Sequence, residues 1–193
     1  MVLTYSKLTW EEYNALFDFI LEGKSDNEMY KNEEYLNYVK LNKSRMNRWI
    51  KSLTITDSLE KKVQAISSAQ KWILITEPWC GDAAHNVPFI YKLAQLNPLI
   101  SIEFVLRDKN TEFMDNYLTN GGRSIPKLIV RDTNDHDLFT WGPRPVQAQE
   151  LLARLKAENA DLPTVMNELQ QWYNSDKGQL LMQEIESLLE TNI

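Results

Sequence analysis

The chain of 193 residues contains one cysteine, Cys80. A single thiol cannot form an intramolecular disulfide, and it cannot supply the several thiolates of a cysteine-based zinc site. Stability must therefore come from the packing of apolar side chains. The cysteine itself is either a small buried apolar residue or a reactive thiol.

An excess of positive charge is also absent, since the formal net charge is -6 and the pI is near 5.1. Non-specific nucleic-acid binding depends on Lys and Arg neutralising phosphates, so we expect no nucleic-acid partner. One helical segment is locally basic, and we expect its charges to lie on a solvated face rather than in a binding patch. These residues are Lys40, Lys43, Arg45, Arg48 and Lys51.

Long apolar runs are absent as well. No segment approaches the roughly 18 apolar residues of a membrane span, and the first residues lack the apolar core of a signal peptide. We therefore expect no membrane association and a cytoplasmic location. The composition, 43% hydrophobic and 25% charged, is that of a globular protein with one domain or one domain with additions.

The first 69 residues carry helical patterns. Thr9 and Glu12 fit a capping box, which predicts a helix that ends near Gly23. Apolar residues between Asn32 and Leu53 recur at helical spacing. A further helix is predicted from Asp57, with Asp57 and Glu60 as capping residues, towards Ala69.

From Lys71 the pattern changes to short strand-forming runs, "KWILIT", "SIEFVL" and "KLIV". The segment 82–96 lies between the first two runs, and its apolar residues fall on two sides of a helix. We therefore expect this helix to be buried between a sheet and another layer. Strand, helix and strand of this length predict a parallel βαβ unit. "HDLFTW" completes a hairpin, and from about Pro145 the chain is helical again.

Cys80 lies where the first of these strands gives way to the helix. The positive end of a helix dipole and its free backbone N–H groups favour a thiolate over a thiol. This position predicts an activated nucleophile.

Four features of the sequence occur in a characteristic order: a Trp-Cys-Gly sequence at the head of the helix, a proline eight residues beyond the cysteine, an Ile-Pro pair before the next strand, and a glycine after the hairpin. The residues are Trp79-Cys80-Gly81, Pro88, Ile125-Pro126 and Gly142. With them the segment of roughly residues 60–155 resembles the thioredoxin family.

The resemblance implies an α/β thioredoxin fold, with a βαβ unit, a β-hairpin and a mixed sheet that has helices on both faces. It divides the chain into a helical N-terminal extension (1–59), a thioredoxin-like domain (60–155) and a C-terminal helical extension (156–193). We expect the three parts to form one compact unit.

The resemblance also implies a site. Pro126 would be cis and would leave the backbone of Ile125 free to pair with an extended peptide or thiol ligand. Trp79 would either shield the thiol as part of a flat apolar surface or pack in the core. With Cys80 as the catalytic residue, the substrate-binding residues would be Trp79, Gly81, Asp82, Ala83, Arg123, Ile125 and Pro126.

The chain departs from the family at two positions. Ala83 replaces the second cysteine of Cys-x-x-Cys, and Leu74 replaces the buried acid six residues before the nucleophile. Without a resolving thiol a mixed disulfide cannot be released by the protein itself, so dithiol reductase activity is excluded for the chain acting alone. Glu77 and Arg123 are the charged residues that could take over the role of these missing groups. Arg123 would pair with a thiolate or with a carboxylate of the ligand. The alternative is that Arg123 is a solvent-facing charge in a loop.

Neither histidine is expected to act in the site. His85 lies about 140° round the helix from Cys80, so a surface or capping role is predicted. His136 stands among Asp132, Asp135 and Asp137, where a polar hairpin turn is the preferred interpretation and no metal site is expected.

Three functions remain open. The first is a monothiol redox protein that forms mixed disulfides or a sulfenic acid on Cys80, resolved by an external low-molecular-weight thiol, with protein disulfides or thiols as substrates and no cofactor. The second is a non-catalytic binding module that uses the groove beside Pro126. The third, a thiol peroxidase, requires a threonine where Glu77 stands.

Overall fold

The computed structural model describes residues 4–192, which contain eight α-helices and four strands. Two short 3-10 helices, Glu28–Lys31 and Arg107–Lys109, lie in the connections. The helices are α1 (Trp10–Leu21), α2 (Glu33–Ser52), α3 (Asp57–Gln64), α4 (Gly81–Ala94), α5 (Thr111–Met114), α6 (Val146–Ala157), α7 (Leu162–Asp176) and α8 (Gln179–Asn192), and the strands are β1 (Gln70–Thr76), β2 (Ile100–Leu106), β3 (Lys127–Arg131) and β4 (Asp137–Trp141).

The four strands form one mixed sheet in the order β2-β1-β3-β4. Strands β1 and β2 are parallel, whereas β1 with β3 and β3 with β4 are antiparallel. The predicted βαβ unit and hairpin are therefore confirmed, and α4 makes the crossover. At the outer edge of β2, Leu8 forms an isolated antiparallel bridge with Phe104, with backbone hydrogen bonds of 2.8 and 2.9 Å.

The N-terminal helices form where the sequence predicts them. The capping box of Thr9 and Glu12 is present at the start of α1. The N-cap of α3 is Thr56 rather than Asp57, and α3 ends at Gln64, several residues before the predicted end. A distant side chain caps this end, because the amide of Asn97 donates to the backbone carbonyls of Val63 and Ile66 over 2.8 and 2.9 Å.

The layer of helices around the sheet is held by both extensions. Helix α2 packs along α4, and the hydroxyl of Tyr13 in α1 is 2.9 Å from the hydroxyl of Thr76 at the end of β1. At the other end of the chain, Trp141 of β4 donates its indole N–H to Glu184 of α8 over 2.6 Å. No helix among residues 4–192 is long and apolar enough to cross a membrane.

Two cis peptide bonds lie next to each other in space, at Ile125-Pro126, as the resemblance implies, and at Gly142-Pro143. Gly142 has a φ of +113°, and a Cβ atom at this position would lie 2.3 Å from the carbonyl oxygen of Pro126. Glycine is therefore required both by the backbone conformation and by the close approach to Pro126.

Replacing Gly142 by alanine is expected to destabilise the fold by about 3 kcal/mol, because positive φ is unfavourable for alanine and the new methyl group meets immobile backbone. Gly23→Ala is the matched control, since Gly23 has a φ of +71° but open space around it. The control should lose about 1 kcal/mol. Urea unfolding of both variants measures the difference, and equal losses would contradict a role for the contact with Pro126.

Candidate functional site

Cys80 is the N-cap residue of α4, four residues after the end of β1. Its Sγ atom accepts a hydrogen bond from the backbone N–H of Ala83 and donates one to the carbonyl oxygen of Ile125, both over 3.4 Å. Only 7% of the residue is exposed. The sulfur thus lies opposite the cis peptide bond, held between the helix and the loop before β3.

Burial raises the pKa of the Cys80 thiol to about 12. The negative charge of Asp82 acts in the same direction, while the N–H of Ala83 and the cation of Arg144 oppose it to a smaller extent. The prediction of a thiolate at the helix N-terminus is therefore wrong. The dipole and the N–H contact are present as expected, but the cost of removing the anion from water exceeds their effect.

Cys80 lies in the wall of a cavity of about 500 Å³, which we call the thiol cavity. Its lining residues are Trp79, Cys80, Gly81, Asp82, Arg107, Asp108, Arg123, Ser124, Ile125 and Arg144. The structure thus brings together most of the residues expected to bind substrate. Ala83 and Pro126 are exceptions, since both are buried behind the wall, where Ala83 supplies its N–H to the sulfur.

Asp82 contacts both the loop after β4 and helix α7, two contacts that the sequence did not predict. Its Oδ2 atom is 2.6 Å from Nη2 of Arg144, and its Oδ1 atom accepts a 2.7 Å hydrogen bond from the hydroxyl of Tyr173 in α7. The side chains of Asp82 and Arg144 are 12% and 17% exposed, respectively, so this ion pair is largely removed from water. Arg144 was missed, although the "GPRP" segment that follows β4 marked a tight turn at this position.

Arg123 does not act as the predicted partner of a thiolate. Its guanidinium forms two parallel hydrogen bonds with the carboxylate of Asp115, of 2.6 and 2.8 Å. Arg123 lines the thiol cavity with its charge already paired, and the cation that acts on Cys80 is Arg144.

The backbone N–H of Ile125 has no hydrogen-bond acceptor among residues 4–192, although Ile125 is only 4% exposed and lines the cavity. Buried backbone N–H groups are nearly always paired. Elsewhere in the lining, the guanidinium of Arg107 lies 4.7 Å from the centroid of the Trp79 ring and packs against the face of the indole.

Glu77 is the buried acid of this site, 4% exposed, whereas Leu74 is an apolar residue in the middle of β1. Burial raises the pKa of the Glu77 carboxyl to about 7, against the opposing effect of the Asp108 backbone N–H, which donates to Oε1 over 2.9 Å. The carboxyl therefore holds the segment that carries Arg107 against the end of β1.

His85 is a buried structural residue, so the predicted surface or capping role is wrong. Nδ1 accepts a 3.0 Å hydrogen bond from the indole of Trp49, and Nε2 therefore carries the proton, which faces Gln170 over 3.2 Å. The ring stacks on Tyr173 with centroids 4.3 Å apart. Burial lowers the pKa of His85 to about 3, so the imidazole is neutral.

The second histidine lies in the predicted hairpin turn, where Nδ1 of the exposed His136 is 3.3 Å from Asp132. Over residues 4–192 no group of three or more His, Cys, Asp or Glu side chains is arranged to hold a metal ion.

Replacing Glu77 by glutamine should stabilise the protein at high pH. The folded-state pKa of about 7 lies above the ordinary value of 4.5, so the ionised carboxyl destabilises the fold increasingly from about pH 4.5 to above pH 7. Glutamine stays neutral and can still accept from Asp108. We expect Glu77→Gln to exceed the wild type by about 3 kcal/mol at pH 8 and by little at pH 4.5.

Urea unfolding across this pH range measures the effect, with the exposed Glu112→Gln as the control. A stability difference between Glu77→Gln and the wild type that did not change with pH would contradict the assignment of Glu77 as a buried acid with a raised pKa.

Comparisons with known proteins agree with this geometry. A crystal structure of a protein of unknown function from Pseudomonas aeruginosa is similar over 96% of this chain and 99% of that chain, with 14% identity and a TM-score of 0.61. An HIV epitope-scaffold is similar over 96% of this chain and 100% of that chain, with 15% identity and a TM-score of 0.57. Identities this low show a shared fold alone.

No curated protein matches the sequence significantly. A thioredoxin family model matches residues 29–158, which is more than half of the chain and includes β1, the Cys80 junction, Pro126 and the hairpin. The chain therefore belongs to the thioredoxin family.

Proposed function

We propose that this protein is a binding module built on the thioredoxin fold, in which the thiol cavity receives an extended segment of a partner protein. The observation that carries the proposal is the unpaired backbone N–H of Ile125 in the wall of the cavity. A backbone carbonyl of an incoming segment is the acceptor that this donor lacks, as in strand addition at a sheet edge.

The walls of the cavity suit a polypeptide. Trp79 offers a flat apolar face, and Arg107 and Asp108 beside it are paired with one another over 2.7 Å. With Asp82 and Arg144 also paired, the cavity carries little uncompensated charge. A segment with one apolar side chain and a polar backbone would fit this surface without burying an unpaired ion.

In this proposal Cys80 acts as a hydrogen-bond donor. At neutral pH a thiol with a pKa of about 12 is protonated, and its S–H donates to the carbonyl oxygen of Ile125. This contact fixes the carbonyl of the Ile125-Pro126 peptide bond, and the N–H of the same residue would donate to the ligand. The chain also has no second thiol with which to resolve a mixed disulfide.

A monothiol redox role is the second candidate, favoured by the position of Cys80 in the wall of an open cavity next to Arg144. In that reaction the Cys80 thiolate attacks a substrate disulfide, which forms a mixed disulfide and releases one substrate thiolate. An external low-molecular-weight thiolate then attacks the Cys80 sulfur of the mixed disulfide, which releases the second substrate thiolate and leaves the external thiol bound to Cys80. A second external thiolate attacks the external sulfur of that disulfide, which forms the disulfide of the external thiol and restores the Cys80 thiolate. The cavity would have to lower the pKa of the thiol when the substrate binds.

Alkylation of Cys80 by iodoacetamide, followed against pH, tests the state of the thiol. The wild type should react slowly at pH 7 and its rate should still rise above pH 9, because the pKa is raised by burial and by Asp82. Asp82→Asn should react several-fold faster at each pH, and Arg144→Met should react more slowly. Arg123→Met is the matched control and should match the wild type, since Arg123 pairs with Asp115.

A rate that reached its plateau below pH 8 would contradict the binding-module proposal and favour redox chemistry. An effect of Arg123→Met as large as that of Arg144→Met would restore Arg123 as the partner of the thiol.

Partner capture separates the two candidates directly. The immobilised wild type and Cys80→Ser should retain the same partners under reducing conditions, while Ser124→Trp, which fills the thiol cavity, should lose them. If partners are instead lost with Cys80→Ser and are released from the wild type only by a reductant, the redox candidate is correct and the binding module is excluded.

A further inference from the structure

A second concave surface adjoins the thiol cavity and is lined mainly by helices, with no residue from the sheet. This helical cleft, of about 610 Å³, lies between α2 and α7, with part of α6 and the first turn of α4 at its base. It shares Trp79, Gly81, Asp82 and Arg144 with the thiol cavity, but Cys80 does not line it. Its volume is that of small-molecule sites in proteins.

One wall of the helical cleft is apolar and only partly covered. Helix α7 contributes Leu162, Val165, Met166 and Leu169, and Leu162 is 62% exposed. A contiguous apolar face on a short amphipathic helix is normally buried against a partner. Here α2 covers part of it, since the hydroxyl of Tyr38 donates to Sδ of Met166 over 3.4 Å, while Leu162 at the start of α7 remains exposed.

The opposite wall carries a cation without a counter-ion. Arg45 of α2 is half-buried, and its Nη1 atom bonds to the side-chain oxygen of Asn42 over 3.0 Å. No carboxylate among residues 4–192 lies within 4.0 Å of its charged group. The guanidinium was expected on the solvated face of α2 with its basic neighbours, but it turns into the cleft instead.

The carboxylates of the cleft compensate Arg45 only in part, and Asp82 acts on the guanidinium without forming an ion pair with it. Asp82 is bound by Arg144 and Tyr173, and Glu34 accepts from the hydroxyl of Tyr38 over 3.0 Å. Lys156 adds a second cation at the rim, and no ion pair joins it to any residue from 4 to 192. The cleft therefore combines an apolar wall with three cations, Arg45, Arg144 and Lys156, against two carboxylates, Glu34 and Asp82.

We propose that the helical cleft binds a small organic anion with an apolar body, whose carboxylate pairs with Arg45 while its hydrocarbon part covers the apolar face of α7. An arginine fork and a carboxylate form a bidentate, charge-assisted pair. An inorganic anion would leave the exposed part of the apolar face uncovered, and a neutral apolar compound would leave the half-buried guanidinium without a counter-ion.

Calorimetric titration with decanoate tests the proposal, with decanol as the uncharged probe of similar length. The wild type should bind decanoate in a one-to-one complex, at least tenfold more tightly than decanol. Arg45→Met, which keeps the length of the side chain and removes its charge, should weaken decanoate binding about tenfold to a hundredfold and leave decanol unchanged. Arg48→Met is the matched control, because Arg48 lies one turn away on α2, bonds to Asn174 and does not line the cleft.

Val165→Trp, which fills the cleft from the α7 side, should abolish binding of both probes, and the circular dichroism and thermal unfolding of each variant check that it is folded. Cys80→Ser should bind decanoate as the wild type does, so this result is independent of the proposed function of the thiol cavity. The proposal is overturned if decanoate does not bind at millimolar concentration, if decanol binds equally well, or if Arg48→Met has the same effect as Arg45→Met.

Discussion

The rest of the site depends on the interactions of the Asp82 carboxylate. It lies in the first turn of α4 and is bound at once by Arg144 from the loop after β4 and by Tyr173 from α7. It thereby ties the C-terminal helices to the helix that carries Cys80, and it separates the thiol cavity from the helical cleft. Replacing either Asp82 or Arg144 would leave the other charge largely buried and unpaired, so we expect such a substitution to destabilise the fold.

The same carboxylate limits the chemistry of the sulfur. A helix N-terminus stabilises an anion by a modest amount, typically below about 2 kcal/mol, whereas the transfer of a thiolate from water into a buried site costs more. With an acidic residue two positions away, the balance moves further towards the neutral thiol. The thioredoxin fold is thus retained around a sulfur whose S–H donates to the carbonyl oxygen of Ile125, and in the function proposed above the surrounding cavity does the binding.

Strand runs and helix periodicity were sufficient to predict the order of elements, because the alternation of β1, α4 and β2 is encoded in local apolar patterns. The Trp-Cys-Gly junction and the Ile125-Pro126 pair likewise pointed to the candidate site, which the junction and Ile125 line together in the structure. Local patterns could not show that His85 is covered by Trp49 and Tyr173, or that Arg144 reaches Asp82, since these contacts join segments far apart in the chain. Burial, and with it the pKa of Cys80, is set by such long-range packing.

The bridge between Leu8 and Phe104 gives the segment before α1 a role beyond covering the core. Two backbone hydrogen bonds at this point occupy part of the free edge of β2, which would otherwise present unpaired N–H and C=O groups to another chain. Tyr5 and Lys7 strengthen the attachment through Glu103 on the same strand, over 2.7 and 2.6 Å. A few residues outside the region matched by the family model therefore cover part of the sheet edge at which another chain could pair. A fragment trimmed to residues 29–158 would expose this edge of β2.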